Sequence, residues 1–429
     1  MSKEIQLEFE EIDIDGSSIS YHNSRLIKCF GVLPTEKAIV KPIKKQRNFI
    51  ECIPLEIISK SAYRVDYIED HFLSCSPWQI AKYEYQIDMK RSILRKIFGF
   101  DIELLPCSKI TGYRTKMEYC IYLDGIAYLG LYRRGTHKAK WKLEKGCVLA
   151  PSNLNSFALD IISRMNDLSN YTKLSSIKGI AVRQSYSSMQ SINLICSIFV
   201  SEYIDPSSLR ILYQNLQDLV DFDKGIFLFY SNPKTPAYTF DECLFHMGLD
   251  RLEQKIHELK IVYGPKCFFQ NNVEMFEKVI LDMMEFVNGQ SLVDLYCGVG
   301  VIGLALSKKA EKVLGVEIVQ EAAEFAKLNS QINQIHNFNI VNIPVENIDE
   351  SYLKPIVVVD PPRNGLHPRV IKALLKYKPE RIIYLSCNPV TQARDYKILK
   401  DYYDLEFFRG YDFYPNTPHV ESLLVLKGN

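Results

Sequence analysis

Three short polar clusters carry residue types that could do covalent chemistry together. Ser386-Cys387-Asn388-Pro389 closes the apolar run Arg381–Leu385, and Asp360-Pro361-Pro362-Arg363 closes an earlier one. His419-Val420-Glu421 stands just before the last apolar run, Ser422–Leu426. A thiolate can attack an electron-poor carbon and split one hard step into two easier ones. A carboxylate facing the same crevice can act as general base. Two consecutive prolines fix a rigid turn and hold Asp360 in one direction. Pro389 reads as a helix start, and a helix N-terminus lowers a thiol's pKa, so an activated Cys387 is expected. Each cluster also has a plain structural use: a buried cysteine, a strand-ending turn, a surface charge. Their recurrence at consecutive strand ends points to one catalytic mouth, with Cys387 as nucleophile and Glu421 as base.

A second constellation lies upstream. The turn Asp294-Leu295-Tyr296-Cys297-Gly298-Val299-Gly300 follows an apolar run and opens a helical pattern. Glycines allow a ligand close to the backbone, and Glu317, ending the next run, could accept hydrogen bonds from ribose hydroxyls. Gly298 to Gly303 spells G-x-G-x-x-G, so a dinucleotide-dependent dehydrogenase is one reading. An acid four positions before the first glycine, with Asp-Pro-Pro downstream, favours an adenosylmethionine site instead.

These residues need a scaffold that brings strand ends together. From about residue 270, apolar runs of strand length alternate with helical patterns such as Val273–Phe286, Gln320–Gln334 and Val390–Leu399. That alternation predicts a parallel sheet covered on both faces. Residues 405–427 read as a closing antiparallel hairpin. Residues 5–57 alternate short β-rich runs with turns, which predicts a small closed barrel. Residues 58–75 show no strong periodicity and read as a linker; Tyr83–Phe98 has helical spacing. The expected division is residues 1–58, barrel; 59–265, a central α+β unit; and 266–429, the α/β unit. In the central unit, Tyr132–Lys142 interleaves aromatics with Arg133, Arg134, His137 and three lysines, a pattern that suits base stacking and phosphate contact.

Composition sets outer limits. At 429 residues the chain exceeds one ordinary core, and 47% hydrophobic with 24% charged residues is a globular balance. Net charge is +1, so a nucleic-acid surface would have to be local. No run of 18 apolar residues predicts a membrane span. Eleven scattered cysteines fit a reducing cytoplasm better than a disulfide framework.

Together the motifs resemble the adenosylmethionine-dependent RNA uracil-C5 methyltransferases, which modify transfer or ribosomal RNA. The matching segments are Phe268-Phe269-Gln270, Asp294 to Gly300, Val316-Glu317, Asp360 to Gly365, Ser386 to Pro389 and His419 to Glu421, with Tyr113-Arg114-x-Lys116 upstream. The resemblance implies a Rossmann-like seven-stranded methyltransferase domain, preceded by a central α+β domain and an OB-like barrel of the TRAM type. It implies that Gln270, Tyr296, Gly298, Gly300, Glu317, Asn347 and Asp360 bind S-adenosylmethionine. Arg363, Arg114, Lys116, Arg133 and Arg134 would meet RNA. Barrel-bearing bacterial relatives favour ribosomal over transfer RNA, and a monomer with no membrane partner is expected. Many such relatives hold an iron–sulfur cluster on four cysteines; here only Cys75 and Cys147 match, so no cluster and no metal are expected. Rival readings are a non-catalytic RNA-binding factor, which would need neither Cys387 nor Glu421, and a methyltransferase for exocyclic nitrogen or protein, which would need no thiol.

Overall fold

The computed structural model of the chain describes residues 4–136, 138–170, 173–189, 191–235 and 238–429. Six strands form the first unit: Ile5–Phe9, Glu11–Ile12, Ser18–His22, Arg25–Cys29, Glu36–Lys45 and Phe49–Ser59. The two edges of this sheet are Ile5–Phe9 and Glu11–Ile12, successive pieces of one strand, so the sheet closes on itself. Leu7 and Phe9 point inward and Gln6 and Glu8 outward, the two-residue period of a strand. They pack with Ile27, Cys29, Val40 and Cys52. Strand Arg25–Cys29 escapes a reading by pattern, because Arg25 and Lys28 interrupt its short apolar run.

Residues 58–75 are no free linker. Phe72–Cys75 forms a short helix, and Phe72 packs with Trp78, Ile12, Leu33, Met89 and Ile93. Tyr67 stacks on Phe72 with ring centroids 4.7 Å apart. The absence of periodicity reflects irregular backbone, mostly exposed over residues 62–70 and anchored through Phe72 and Leu73. The indole Nε1 of Trp78 donates to the Gly16 carbonyl of the barrel (3.0 Å).

The helix Tyr83–Phe98 buries Ile87, Ile93 and Leu94, and ends at Gly99 in the left-handed conformation, φ 85°. The central sheet has seven strands, ordered Lys140–Leu143, Ile126–Tyr132, Lys116–Asp124, Ile177–Tyr186, Ile192–Val200, Lys224–Tyr230 and Glu242–Gly248. Helices Ser152–Asp167 and Pro206–Leu216 contribute to the core on one face. Ala181, Ile195, Phe199, Phe227 and Phe229 share a core with the hairpin Leu252–Ile256 and Leu259–Tyr263 and with the C-terminal unit.

The C-terminal sheet is ordered Phe338–Asn342, Val313–Glu317, Leu292–Leu295, Ile356–Val359, Arg381–Ser386, Glu421–Gly428, Tyr403–Tyr411 and Glu103–Leu105. The first five run parallel, and Glu421–Gly428 is antiparallel to both its neighbours. Chain order reverses at Leu292–Leu295, the position where open α/β sheets form a crevice at their carboxyl ends. Seven strands come from the last 160 or so residues; the eighth, Glu103–Leu105, comes from far upstream and pairs with Arg409–Tyr411.

Candidate active site

Register brings the predicted nucleophile and base together. Ser386 pairs with Ser422 across antiparallel strands. One step further along that register sets Cys387 opposite Glu421. Directly opposed residues project from the same face of a sheet, about 5 Å apart at Cβ. Asp360 follows Val359, on the strand at the other side of Arg381–Ser386. Its turn is tied to the cysteine's turn: the Asn388 side-chain amide donates to the Arg363 carbonyl (2.8 Å), and the Thr391 hydroxyl donates to the same oxygen (3.2 Å). Asn388 also caps the helix Pro389–Leu399, accepting from the Val390 N–H. Arg363, Cys387, Asn388, Pro418 and His419 line a cavity of about 230 Å³, and Ile14 and Asp15 of the barrel complete its wall.

Burial governs the electrostatics. The Cys387 thiol is pushed up to about 11, first by desolvation, then by the charges of Glu421 and Asp360; Arg363 opposes them. This corrects the expectation of a thiol activated by the helix: two neighbouring acids and burial outweigh the helix end in the ligand-free site. Glu421 is itself buried and raised to about 8, by desolvation and then by Asp360. Its Oε1 accepts a long bond from the Tyr414 hydroxyl (3.5 Å), and its Oε2 has no partner. Asp360 is raised to about 7 by burial, against a hydrogen bond from Gln270. His419, at the cavity mouth, is pushed down to about 4 by desolvation and surrounding cations, Arg363 foremost, so it is neutral.

The loop before Glu421 is held by distant segments. Lys90 forms a buried ion pair with Asp412 and also donates to the Tyr414 carbonyl (3.0 Å). The Tyr83 hydroxyl donates to Asp412 (2.9 Å). Gln86 and Asn416 exchange two bonds, of 2.9 and 2.8 Å. The Tyr113 hydroxyl donates to the Pro415 carbonyl (3.0 Å). An unpaired ion at Lys90 or Asp412 would be costly in this setting, so the pair fixes the loop that aims Tyr414 and Glu421. Sequence reasoning missed Lys90, Asp412 and Tyr414, because none belongs to a short motif and their partners lie some 320 residues away.

A second cleft adjoins the first, lined by Phe269, Gln270, Tyr296, Gly298, Val301 and Asp360. Tyr296 adopts φ 65°, Gly298 φ 54° and Gly300 φ 88°; left-handed backbone at a non-glycine residue stores strain and is most often kept where it serves a site. A Cβ on Gly298 would meet nothing within 4 Å, so that edge of the loop is open. Glu317 holds the loop from below, accepting from the Gly298 N–H (2.9 Å) and the Val319 N–H (2.8 Å). Gly303 is needed for another reason: its N–H donates to Asp294 (2.8 Å), and a Cβ there would approach that carboxylate to 2.9 Å. The third glycine of G-x-G-x-x-G thus serves close packing of the helix on an aspartate. Gln270 Oε1 is buried without a partner and Asp360 faces the cleft. A cationic sulfonium ligand suits this acceptor-rich wall, so the residues fit S-adenosylmethionine. Asn347 is exposed on the short helical turn Val345–Asn347 and lines neither cleft.

The expected RNA contacts divide. Arg363 is exposed at the mouth. The Arg114 guanidinium lies 5.8 Å from the Tyr414 ring centre, beside the residue that contacts Glu421. Lys116 pairs with Glu118. Arg133 is exposed and stacks on Trp141 at 4.1 Å. Arg134 departs from the expected phosphate contact: it lies 3.4 Å over the Phe30 ring, 3.8 Å from Glu51, and docks the central unit onto the barrel. An arginine engaged on an aromatic face and a carboxylate inside the protein is not presented to a phosphate. His137 lies outside the described residues.

A model of the tRNA (uracil-5-)-methyltransferase family matches residues 82–429. The chain belongs to that family. It is a uracil-C5 methyltransferase acting on RNA. Similar proteins span both chains almost completely. An uncharacterised RNA methyltransferase of Caldanaerobacter subterraneus is 29% identical over 99% of this chain and 98% of its own. The tRNA (uracil(54)-C(5))-methyltransferase of Pyrococcus abyssi is 28% identical over 92% of this chain and 94% of its own. The crystal structure of the P. abyssi tRNA (uracil-54, C5)-methyltransferase with S-adenosyl-L-homocysteine superposes with a TM-score of 0.79, at 24% identity, covering 98% of this chain and all of that one. The family fold therefore extends to the barrel, beyond the segment the family model matches. Among the described residues, no helix is long and apolar enough to cross a membrane.

Proposed function

We propose that this methyltransferase forms 5-methyluridine through a transient bond between Cys387 and uracil C6, with Glu421 as the base and S-adenosylmethionine as the cofactor. Bound in the glycine-loop cleft, the cofactor supplies an electrophilic methyl group. Cys387 adds to C6 as thiolate, and the C5–C6 π pair moves toward O4, making C5 nucleophilic. Once C5 carries the methyl group, Glu421 takes the C5 proton, the double bond reforms, and the sulfur leaves C6. Arg363, at the mouth, stabilises charge developing on the ring. The single observation that carries this reading is the shared register of Cys387 and Glu421, with one buried carboxylate oxygen free of partners.

The target base must leave any stack to reach the 230 Å³ cavity. Since Ile14 and Asp15 wall that cavity, the barrel sits where flanking nucleotides would pass. We assign Gln270, Tyr296, Gly298, Gly300, Glu317 and Asp360 to the cofactor, and Arg114, Arg133 and Arg363 to RNA. The sequence preference for ribosomal RNA rested on the barrel. The P. abyssi enzyme, named for a tRNA, shares this fold over 98% of the chain, so the barrel does not discriminate. The named relative makes transfer RNA the first substrate to test, and ribosomal RNA the second. Mass-spectrometric mapping of 5-methyluridine in both RNAs, with and without this gene, decides between them. Unchanged 5-methyluridine at every site would overturn the proposal.

A further inference from the structure

Far from Cys387 in sequence, four metal-ligating side chains converge. Glu69, His71, Cys75 and Cys147 place one donor atom each within 4.8 Å of one another. The two sulfurs are 3.7 Å apart. Cys147 Sγ lies 3.8 Å from Glu69 Oε2, and His71 Nε2 lies 3.4 Å from the same oxygen. Zinc binds sulfur at about 2.3 Å and nitrogen or oxygen at about 2.0–2.2 Å, so a tetrahedral site has edges of about 3.8 Å between sulfurs, 3.6 Å between sulfur and oxygen, and 3.4 Å between nitrogen and oxygen. These three edges agree with those values to within about 0.2 Å, and no other pair of donors is more than 4.8 Å apart.

Two further observations point to a ligand. His71 is 6% exposed, and its buried Nε2 makes no hydrogen bond, with the Glu69 carboxylate oxygen facing it at 3.4 Å. Such a group costs stability unless something satisfies it. The other oxygen of Glu69 is already held by the Val148 N–H (2.6 Å), which fixes the carboxylate with Oε2 turned toward the two sulfurs. That is the outer-shell support typical of metal-ligating side chains.

We propose that Glu69, His71, Cys75 and Cys147 bind a single tetrahedral metal ion, best suited by Zn²⁺. Soft thiolates with one imidazole and one carboxylate, four protein donors in all, match a structural zinc site. A cubane cluster would need four donors spread around four irons, wider than this set. The ion would pin the Glu69–Cys75 segment to the loop at Cys147. The same segment leads into Trp78, which bonds to Gly16 of the barrel and, through its backbone N–H, to the Asn416 carbonyl of the catalytic loop (3.0 Å). The metal therefore braces the junction of barrel, central unit and active site without touching substrate. This inference is independent of the methyl-transfer mechanism.

The test is titration of the full-length, fully reduced protein with Co²⁺. The expected result is one equivalent bound, with a thiolate charge-transfer band and the intense visible bands of a tetrahedral site, both abolished by one equivalent of Zn²⁺. Cys147→Ser and His71→Ala should each weaken binding by roughly 100-fold, while Cys387→Ala should leave the spectrum unchanged. The wild-type titration needs no variant to fold. Absence of the bands in protein whose thiols titrate as reduced would overturn the proposal, as would a Cys75–Cys147 disulfide in its place or stoichiometric iron with sulfide after anaerobic purification.

Discussion

Cys387 and Cys147 each stand near a carboxylate, Glu421 in one case and Glu69 in the other, but the two surroundings differ in what they leave open. Cys387 is half-buried on the wall of a cavity, and its carboxylate neighbour keeps an oxygen unpaired. Cys147 is 1% exposed, and the donors around it point at one another. A nucleophile must keep room for an incoming atom and a base must keep a lone pair. A metal site needs the opposite: donors that converge on a space no substrate enters. Side-chain identity alone does not separate these uses; direction and access do.

The comparison breaks most sharply on removal of each sulfur. Cys387→Ala should reduce methyl transfer by about 10⁴-fold or more, the scale of losing a covalent nucleophile. Binding of S-adenosylmethionine, read by calorimetry, should change little, since the cysteine does not line the glycine-loop cleft. Cys147→Ser should lower activity by about 10-fold or less, through loosened docking of the barrel, with metal affinity as its larger readout. Retained turnover in the Cys387 variant would rule out the covalent route.

Glu421→Gln should cost about 10²–10⁴-fold in turnover, the scale of general-base loss. Methyl transfer precedes proton removal, so a protein–RNA adduct should accumulate and survive denaturing electrophoresis. The same substitution removes the nearest negative charge from Cys387, so alkylation of that thiol by iodoacetamide at pH 8 should become faster. A variant that binds RNA but forms no adduct would assign the base elsewhere.

A further effect follows from pH. In the free enzyme Cys387 titrates at about 11 and Glu421 at about 8, so below pH 8 both protons must leave and above it one remains to be lost. The value of kcat/KM should climb steeply from pH 6 to 8 and by about 10-fold per unit beyond. A cationic cofactor lowers the pKa values of the acids it approaches, so kcat should level off at lower pH than kcat/KM. Identical profiles for the two would mean that the cofactor does not speak to these groups.

The C-terminal strands were legible to within about two residues, since each is an apolar run bounded by helical patterns. The motif turns were legible too, because glycines and prolines impose backbone geometry locally. Illegible features depend on long-range pairing. Glu103–Leu105 joins a sheet whose other strands lie beyond residue 290, and Lys90 finds Asp412 across the molecule. Glu69 and His71 form no ligand motif of their own in the sequence; only folding brings Cys147 to them. The thiol's environment was misjudged for the same reason. A helix start is visible in sequence, whereas burial and two facing acids are not.

Asp294 supplies a third case, a carboxylate with neither substrate nor metal to answer it. It is fully buried, its Oδ2 accepts from the Gly303 N–H, and its Oδ1 has no partner. Desolvation raises it to about 8, with smaller contributions from Asp360 and Glu317. An acid whose folded pKa stands above its unfolded value near 3.8 binds its proton more tightly when folded. Stability is then lost as pH rises from about 4 to about 8. Asparagine imitates the protonated acid: it can accept the Gly303 bond and has no charge to bury. Asp294→Asn should match the parent near pH 4 and exceed it increasingly toward pH 8, by up to about 1.4 kcal/mol for each pH unit crossed. Thermal unfolding at the two pH values reads this directly. A variant less stable at both would show that Asp294 keeps its charge, which would require a cation beneath the glycine loop.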